Sequence, residues 1–188
     1  MRSIVNLAAA LEVTVGHLLS CATAPAGAGL KAGGADGEPA PTEILLVEDS
    51  AADAALTMRA FKRARFTNPL RIVCDAEEGL AYLFGHGRYA QRRPERPGLI
   101  LLDLNLPGMS GLECLRRIKA DARTREIPVA VLTVSKSDRM IVECGRLGAE
   151  NYIVKPLSIE SFLRVTPKLN LRLTLSALGN GGRRSLTL

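Results

Sequence analysis

Two runs of four apolar residues that end in carboxylates constrain this chain most. Residues 44–47 are followed by Glu48 and Asp49, and residues 99–102 are followed by Asp103. Continuous apolar runs are typical of strands buried on both faces of a parallel sheet, and open α/β folds place their sites at the carboxyl edge of such a sheet. We therefore expect the three acids to share one pocket.

Three carboxylates in one pocket repel one another. At a separation of about 4 Å and an effective dielectric constant near 20, each pair costs roughly 4 kcal/mol. Such a cluster needs either a raised pKa or a divalent cation that accepts hard oxygen ligands. The second interpretation predicts a metal site that handles phosphate groups.

Length and composition limit the class of protein. A chain of 188 residues can bury a substantial core as one domain with extensions. No apolar stretch approaches the roughly 18 residues of a membrane span, so no membrane segment is predicted. The cysteines lie far apart, with no C-x-x-C pair and no nearby histidine cluster, which favours reduced, buried thiols over a metal site. They are Cys21, Cys74, Cys114 and Cys144.

The net charge is +6, and residues 158–188 hold five basic residues against one acidic residue. Further basic groups occur within 59–65, 88–96 and 116–125, without a predicted helix that could read base edges. We interpret them as solvated helix faces, so nucleic acid is an unlikely partner for this chain alone. The isolated His17 and His86 are not expected to bind a metal or carry phosphate.

Composition divides the chain into four segments. Residues 1–21 are a short helical segment, 22–42 are rich in Ala, Gly and Pro and predict a disordered linker, 43–166 carry the core, and 167–188 form a C-terminal extension. Within the core, short apolar runs alternate with stretches of helical period, which is typical of βαβ units. The expected fold is a doubly wound α/β sheet with helices on both faces.

The predicted elements follow directly from this alternation. Strands are predicted at 44–47, 70–74, 99–102, 129–132 and 152–154. Helices are predicted at 51–63, at 76–84, through Leu112, Leu115 and Ile118, at 138–147, and from Ser158 onward. The basic connection 85–98 contains two prolines and is expected to have little regular structure.

The C-terminal extension gives conflicting signals. Pro167 should interrupt or kink a long final helix. Residues 169–175 alternate as a strand would, but leucine is a strong helix former. We favour a kinked helical extension over an added strand or a swapped arm, and we expect residues 179–188 to be frayed. In either case a leucine row beyond the core predicts a dimerisation arm.

Residues 1–21 admit three interpretations. Residues 18–21 faintly resemble a lipoprotein cleavage site, but polar residues interrupt the apolar stretch, so export is not favoured. Residues 7–19 resemble the last two helices of a Cro/repressor-type helix-turn-helix domain that lacks the helix entering the major groove. We favour a remnant of such a domain over a short helical hairpin, and expect no DNA binding by it alone.

Four motifs in sequence order carry a family resemblance. They are ILLVEDS (44–50), LILLDLNLPGMSG (99–111), VLTVSKSD (131–138) and NYIVKP (151–156). The chain resembles a receiver domain of bacterial two-component response regulators, of the CheY-like kind, over about residues 43–165. NPLRIV (68–73) and the connection 85–97 make it most similar to single-domain regulators that accompany phytochrome-type histidine kinases. The resemblance implies a flavodoxin-like five-stranded parallel sheet in the order 2-1-3-4-5.

The resemblance also implies a role for each matching acid. Asp103 would be the phosphoacceptor, whose carboxylate attacks phosphorus and becomes an acyl phosphate. Glu48, Asp49, Asp103 and the backbone carbonyl of Asn105 would bind Mg²⁺ or Mn²⁺. Glu48 stands where the family more often has aspartate, which affects metal affinity. Asn105 and Ser135 occupy positions that tune hydrolysis of the phosphate.

Three further residues match the family's switch. Lys155 would contact an acidic oxygen before transfer and a phosphoryl oxygen afterwards, and the Thr133 hydroxyl would contact a second phosphoryl oxygen. Tyr152 would change rotamer with Thr133, which converts phosphorylation into a new surface. Catalysis by Asp103, Thr133 and Lys155 would consist of positioning and charge neutralisation.

The leading hypothesis is a cytoplasmic phosphorelay response regulator without an attached output domain. It is not an enzyme in the usual sense, since it transfers and hydrolyses only its own phosphoryl group. The expected partners are a histidine kinase, by resemblance of the phytochrome type, and a second copy in a homodimer. One alternative is a transcription regulator with a truncated helix-turn-helix. Another is a haloacid-dehalogenase-type phosphohydrolase, which would need an aspartate where this chain has Asn105.

Overall fold

The structure, a computed structural model, describes residues 42–91, 96–134, 138–149, 151–166, 172–176 and 183–187. The strands are β1 (Ile44–Val47), β2 (Leu70–Val73), β3 (Leu99–Asp103), β4 (Val129–Thr133), β5 (Asn151–Val154), β6 (Arg172–Ser176) and β7 (Arg183–Thr187). The helices are α1 (Ala51–Arg63), α2 (Ala76–Phe84), α3 (Gly111–Ala120), α4 (Asp138–Arg146) and α5 (Ile159–Val165). These bounds lie within two residues of the predicted core elements.

Strands β1 to β5 form one parallel sheet in the order β2-β1-β3-β4-β5. This is the flavodoxin-like order, and the predicted fold class is confirmed. The order reverses between β1 and β3, which are hydrogen-bonded neighbours although β2 lies between them in sequence. In such sheets the crevice outside the carboxyl ends of the strands at the reversal is where ligands bind.

Alternate residues of each strand face two separate core layers. Leu45 and Ile100 pack in a layer with α2, α3 and α4, and Ile44 and Leu99 pack in a layer with α1 and α5. All four side chains are fully buried. Because both faces of the sheet are covered, the inner strands β1, β3 and β4 are buried throughout, which explains their continuous apolar runs, whereas the outer strands β2 and β5 include exposed residues.

Two serines start the helices that begin beside the sheet edge. Ser50 Oγ accepts the backbone N–H of Asp53 in α1, and Ser110 Oγ accepts that of Glu113 in α3, each at 3.2 Å. These bonds satisfy backbone donors that have no partner within the helix. Asp53 and Glu113 are acids in the first turn of their helices, and each lies three residues after its serine cap.

Three phenylalanines join α1 to α5. The ring centroid of Phe61 lies 5.5 Å from that of Phe66 and 4.7 Å from that of Phe162, and the latter two are 5.7 Å apart. Tilted and edge-to-face contacts at these separations are favourable beyond the area they bury. Aromatic packing therefore holds α1 and α5 together in the core layer that they share.

The connection 85–98 is more ordered than its composition indicates. Gly87–Tyr89 forms one 3₁₀ turn, and the Tyr89 hydroxyl donates to Glu78 Oε1 at 2.6 Å. The Tyr89 ring packs edge-to-face on Tyr82, with centroids 5.0 Å apart. The prediction of little regular structure is therefore correct for most of the described part, but the start of the connection is fixed to α2.

The prediction that the C-terminal extension is a kinked helix is wrong. Strands β6 and β7 pair antiparallel as a hairpin, from Arg172 opposite Thr187 to Ser176 opposite Arg183. β7 also corrects the expectation that residues 179–188 are frayed. The two-residue alternation of the leucines outweighs their helix propensity, which is a weak preference. The glycine-rich sequence between the strands is also a hairpin signal.

The cysteine prediction holds in part. Cys114 and Cys144 are free and buried, as expected, whereas Cys74 takes part in a disulfide bond, which corrects the expectation of a reduced thiol there. Cys21, Pro167, Ser135 and the interpretations of residues 1–21 lie outside the described residues. No helix in the described part of the chain is long and apolar enough to cross a membrane.

Candidate functional site

The register of β1 and β3 places two of the predicted acids side by side. Val47 is the partner of Leu102, so the next residues, Glu48 and Asp103, lie at the same edge of the sheet. Glu48 and Asp103 are only 2% and 3% exposed. One carboxylate oxygen each from Glu48, Asp49 and Asp103 lies within 4.8 Å of the others. The expected acidic pocket is therefore present.

The next two strands bring the remaining site residues to this edge. Thr133, the last residue of β4, is opposite Val154, and its carbonyl accepts the backbone N–H of Lys155 at 2.9 Å. Lys155 thus leaves the end of β5 directed along the same edge, and the Lys155–Pro156 peptide bond is cis.

Lys155 occupies the centre of the acidic pocket. Its Nζ donates to Asp103 Oδ2 at 2.6 Å, to Glu48 Oε1 at 2.8 Å and to Asp53 Oδ2 at 2.9 Å. Charge-assisted hydrogen bonds of this length are about twice as strong as neutral ones. One ammonium group therefore offsets part of the repulsion among three carboxylates.

Sequence reasoning missed Asp53. The apolar runs point to acids at strand ends, whereas Asp53 reaches the pocket from the first turn of α1. The sequence does contain a signal for Asp53. When a serine cap directly follows a strand, an acid three residues after the cap lies within one helical turn of the end of that strand. Ser50 and Asp53 have this spacing directly after β1.

Burial and charge act in opposite directions on the two central groups. Burial raises the pKa of Glu48, and its hydrogen bond to Lys155 offsets only part of that effect. Burial disfavours the charged form of Lys155, but hydrogen bonds to Asp103, Glu48 and Asp53 outweigh it and raise the pKa of Lys155. The lysine is consequently an ammonium ion at any physiological pH.

The donor set fits a divalent cation. Glu48 Oε2 is buried and lies 2.7 Å from Lys155 Nζ as an ion pair, but it accepts no hydrogen bond from the described residues. A buried carboxylate oxygen with an unused acceptor position suits a hard cation such as Mg²⁺ or Mn²⁺. Asn105 is exposed, and its backbone N–H donates to Asp103 Oδ1 at 3.0 Å.

The loop after Asp103 is closed tightly by glycine. Gly111 begins α3, and its N–H donates to the carbonyl of Leu104 at 3.1 Å. A Cβ at Gly111 would lie 2.0 Å from the Asp103 carbonyl oxygen and 2.6 Å from Leu104 Cα. Both are backbone atoms that cannot yield as a flexible side chain can, so this glycine sets the approach of α3 to the site.

The two predicted switch residues line one pocket. Thr133 is buried, whereas Tyr152 is 48% exposed at the rim. The pocket has a volume of about 110 Å³ and is otherwise lined by Leu104 just after β3, by Val131 of β4, by residues of α4 and by Ala149 before β5. Tyr152 therefore has an apolar space next to it.

The basic groups are mostly exposed or paired locally. Arg59, Lys62, Arg63 and Arg65 are exposed along and just beyond α1. In the group at 116–125, Arg116 and Arg117 pair with Glu113, Arg123 pairs with Asp121 and Arg125 pairs with Glu126. This agrees with solvated surfaces rather than a continuous positive patch. His86 is exposed beside the Phe84 ring, outside the acidic pocket.

Comparison with known proteins matches the core of this chain. Residues 44–166 match the sequence family described as the response regulator receiver domain. The probable methanogenesis regulatory protein FilR2 of Methanothrix harundinacea is 40% identical over 129 residues, which cover 69% of this chain and 81% of FilR2. Response regulator Rcp1 of Synechocystis is 36% identical over 125 residues, or 66% of this chain and 84% of Rcp1.

Solved structures give the same result. The bacteriophytochrome response regulator AtBRR superposes with a TM-score of 0.67 at 35% identity, over 76% of this chain and 99% of that protein. The Mn²⁺-bound form of Rcp1 superposes with a TM-score of 0.60 at 34% identity, over 73% of this chain and all of that protein. The match over residues 44–166 decides against the phosphohydrolase alternative and gives no support to the truncated helix-turn-helix regulator.

Proposed function

Because this chain belongs to the response regulator receiver family, we propose that it accepts a phosphoryl group on Asp103 from a histidine kinase. The observation that carries the proposal is the contact of Lys155 Nζ with Asp103 Oδ2 at 2.6 Å, beside the three clustered carboxylates. A buried carboxylate held by a lysine next to a cation site can act as a nucleophile toward phosphorus.

Each residue of the site has a separate role in the proposed phosphoryl transfer. Glu48 and Asp49, with Asp103 and the Asn105 carbonyl, would hold Mg²⁺ or Mn²⁺, which supplies charge neutralisation for the entering phosphoryl group. An oxygen of Asp103 forms the new bond to phosphorus as the donor's bond breaks and the leaving group takes the electron pair. Lys155 stays an ammonium ion and transfers its hydrogen bond from Asp103 to a phosphoryl oxygen. Water later removes the group without a separate enzyme.

The output of the reaction is a change of surface. Thr133 would donate its hydroxyl to a phosphoryl oxygen, and Tyr152 would turn into the adjacent pocket from its exposed position. An apolar space beside a half-exposed ring gives the ring two positions that can exchange. Phosphorylation would bias that exchange, and the face formed by α4 and β5 would change with it.

The relatives guide the choice of partner. AtBRR is a bacteriophytochrome response regulator by its name, and we extend this to the proposal that the partner kinase is of the phytochrome type. A cytoplasmic location is part of the same proposal and rests on family membership. We also propose that residues 43–166 form the receiver domain and that residues 22–42 are a linker.

We further propose a homodimer formed through the C-terminal hairpin. A two-stranded hairpin is marginally stable in water without further pairing. Leucine or arginine alternates with serine or threonine over residues 173–176 of β6 and 184–187 of β7. Truncation after Thr166 should therefore yield monomers by light scattering, whereas the full chain should be dimeric. A truncated protein that remains a dimer would contradict this role for the hairpin.

Labelling tests the central proposal. The full chain incubated with acetyl phosphate and Mg²⁺ should gain one phosphoryl group that hydroxylamine removes, as expected for an acyl phosphate. Asp103→Asn should abolish the gain, because the amide cannot act as the nucleophile. Asp121→Asn is the control, since Asp121 is held by Arg123 away from the pocket. Persistent labelling of Asp103→Asn would refute the assignment.

A further inference from the structure

Lys155 has three N–H donors and three carboxylate partners, and the partners are not equivalent. Glu48 and Asp103 belong to the cluster of oxygens that could hold a cation, whereas Asp53 does not. Asp103 also loses its free carboxylate when it is phosphorylated. Asp53 is therefore the one partner among the three whose bond to Lys155 has no other task in the proposed reaction.

We propose that Asp53 is a positioning residue, which holds the Lys155 ammonium group in place while its bond to Asp103 is exchanged for a bond to the phosphoryl group. The inference rests on the proposed function and adds a residue to it. It concerns the position of a donor, not its proton, because Lys155 remains charged throughout. The covalent change is only the one already proposed, in which the bond from phosphorus to the donor breaks and a bond from phosphorus to an Asp103 oxygen forms.

The fold fixes Asp53 well enough for this task. Its backbone N–H is bound by the Ser50 hydroxyl at 3.2 Å, and the neighbouring Ala54 is buried in the layer between α1 and α5. The Asp53 side chain therefore starts from a fixed point on the first turn of α1. Its carboxylate accepts a hydrogen bond from Lys155 Nζ at 2.9 Å, whereas Asp49 is exposed and not bonded to the lysine by any described contact.

The exposure of Asp53 makes it better suited than the buried Glu48 and Asp103 to hold Lys155 throughout the reaction. Its side chain is 37% exposed, so it can stay in partial contact with water when a cation and a phosphoryl group enter. Glu48 and Asp103 are buried and would have to rearrange their bonds around those groups. If the bond to Asp53 persists, it holds the Lys155 ammonium group in place. The ammonium group then needs to move only from an Asp103 oxygen to a phosphoryl oxygen.

The chain offers a matched control for substitution. Glu113 occupies the same position after its serine cap in α3 as Asp53 does in α1, with the same 3.2 Å cap bond. It is paired with Arg116 and Arg117 and does not contact the pocket. Glu113→Ala therefore removes a first-turn acid of equal helical role without touching Lys155.

The kinetic test uses Asp53→Ala, Asp53→Asn and Glu113→Ala in the full chain. The rate constant of acyl phosphate formation is measured with acetyl phosphate and Mg²⁺ both saturating, so that binding effects are removed. We expect Asp53→Ala to lose about tenfold, because a displaced group at a reacting centre costs one to two orders of magnitude. Asp53→Asn should lose less, because its amide oxygen still accepts a hydrogen bond, and Glu113→Ala should stay within about twofold.

A spectroscopic arm tests the anchor without the reaction. In ¹⁵N-lysine-labelled protein, the Lys155 ammonium signal, assigned by its absence in Lys155→Met, should be visible in the unmodified chain and in Glu113→Ala. It should broaden or disappear in Asp53→Ala, because the ammonium group then has two hydrogen-bond partners among the described residues. Asp53→Asn should retain it.

The outcomes separate this inference from the proposed function. If the unmodified chain forms no acyl phosphate, the proposed function fails, and the ammonium signal alone decides whether Asp53 holds Lys155. If Asp103 is phosphorylated but Asp53→Ala reacts at the unmodified rate, the positioning role fails and the function stands. Equal losses in Asp53→Ala and Asp53→Asn would also overturn it, because charge rather than position would then explain the effect.

Discussion

The central lysine should make stability depend on the cation. Lys155→Met removes the ammonium group that binds Glu48 and Asp103 and leaves two buried carboxylates facing each other. Removing one partner of a buried ion pair costs about 3–5 kcal/mol. In a domain of this size, roughly 3–5 °C of melting temperature correspond to 1 kcal/mol, so Lys155→Met should melt about 10–20 °C lower in EDTA.

Mg²⁺ should restore much of that loss. A cation at 100 times its dissociation constant stabilises the folded state by about 2.7 kcal/mol. Lys155→Met should bind Mg²⁺ more tightly than the unmodified chain, because no ammonium group competes for the carboxylates. We therefore expect the gain in melting temperature on adding a fixed concentration of Mg²⁺ to be larger in Lys155→Met.

Thermal unfolding followed by circular dichroism, with EDTA and across a Mg²⁺ titration, measures both effects. Lys119→Met is the matched control, because the Lys119 ammonium group donates to the carbonyls of Arg125 and Ile127 at 2.9 Å and lies outside the acidic pocket. Its loss of stability should be the same with and without Mg²⁺. The reasoning is refuted if Lys155→Met loses less than about 1 kcal/mol in EDTA, or if Mg²⁺ raises both melting temperatures equally.

Two smaller perturbations test the surroundings of the site. Gly111→Ala should destabilise the domain by about 1–3 kcal/mol and slow phosphorylation, since the added Cβ meets the Asp103 backbone, whereas Gly145→Ala, with open space around it, should be neutral or stabilising in chemical denaturation. Burial raises the pKa of Cys114 to about 12, so at pH 8 only about one thiol in ten thousand is the reactive thiolate. Peptide mapping after iodoacetamide treatment should find Cys114 unlabelled until the chain unfolds, and rapid labelling of folded protein would contradict its burial.

The sheet and the acidic edge could be predicted because they depend on local patterns. Apolar runs at 44–47 and 99–102 have no alternative to a buried strand once helices flank them, and residues that follow parallel strands must meet at one edge. Glu48 and Asp103 therefore came together as expected. The family resemblance is confirmed by the match over residues 44–166.

Asp53 could not be placed with the same certainty, because a helical side chain reaches a strand end only at one rotation of the helix. That rotation is set by packing of Ala54 and Phe61 against the sheet, which a sequence pattern gives only approximately. The prediction for the C-terminal extension was wrong for a different reason. Leucine by its propensity favours a helix. The strand form depends on the pairing of Arg172–Ser176 with Arg183–Thr187, a contact between two segments that local propensity does not contain.

The aromatic cluster on one side of the sheet has a mechanical consequence. Phe61, Phe66 and Phe162 interlock α1 with α5, so a strain applied at the strand ends meets a stiff wall there. On the opposite side, next to Thr133, the wall contains a void bordered by α4. Because the two sides of the sheet are unequal, we expect a displacement that starts at the sheet edge to be accommodated on the side of α4 rather than on the side of α5.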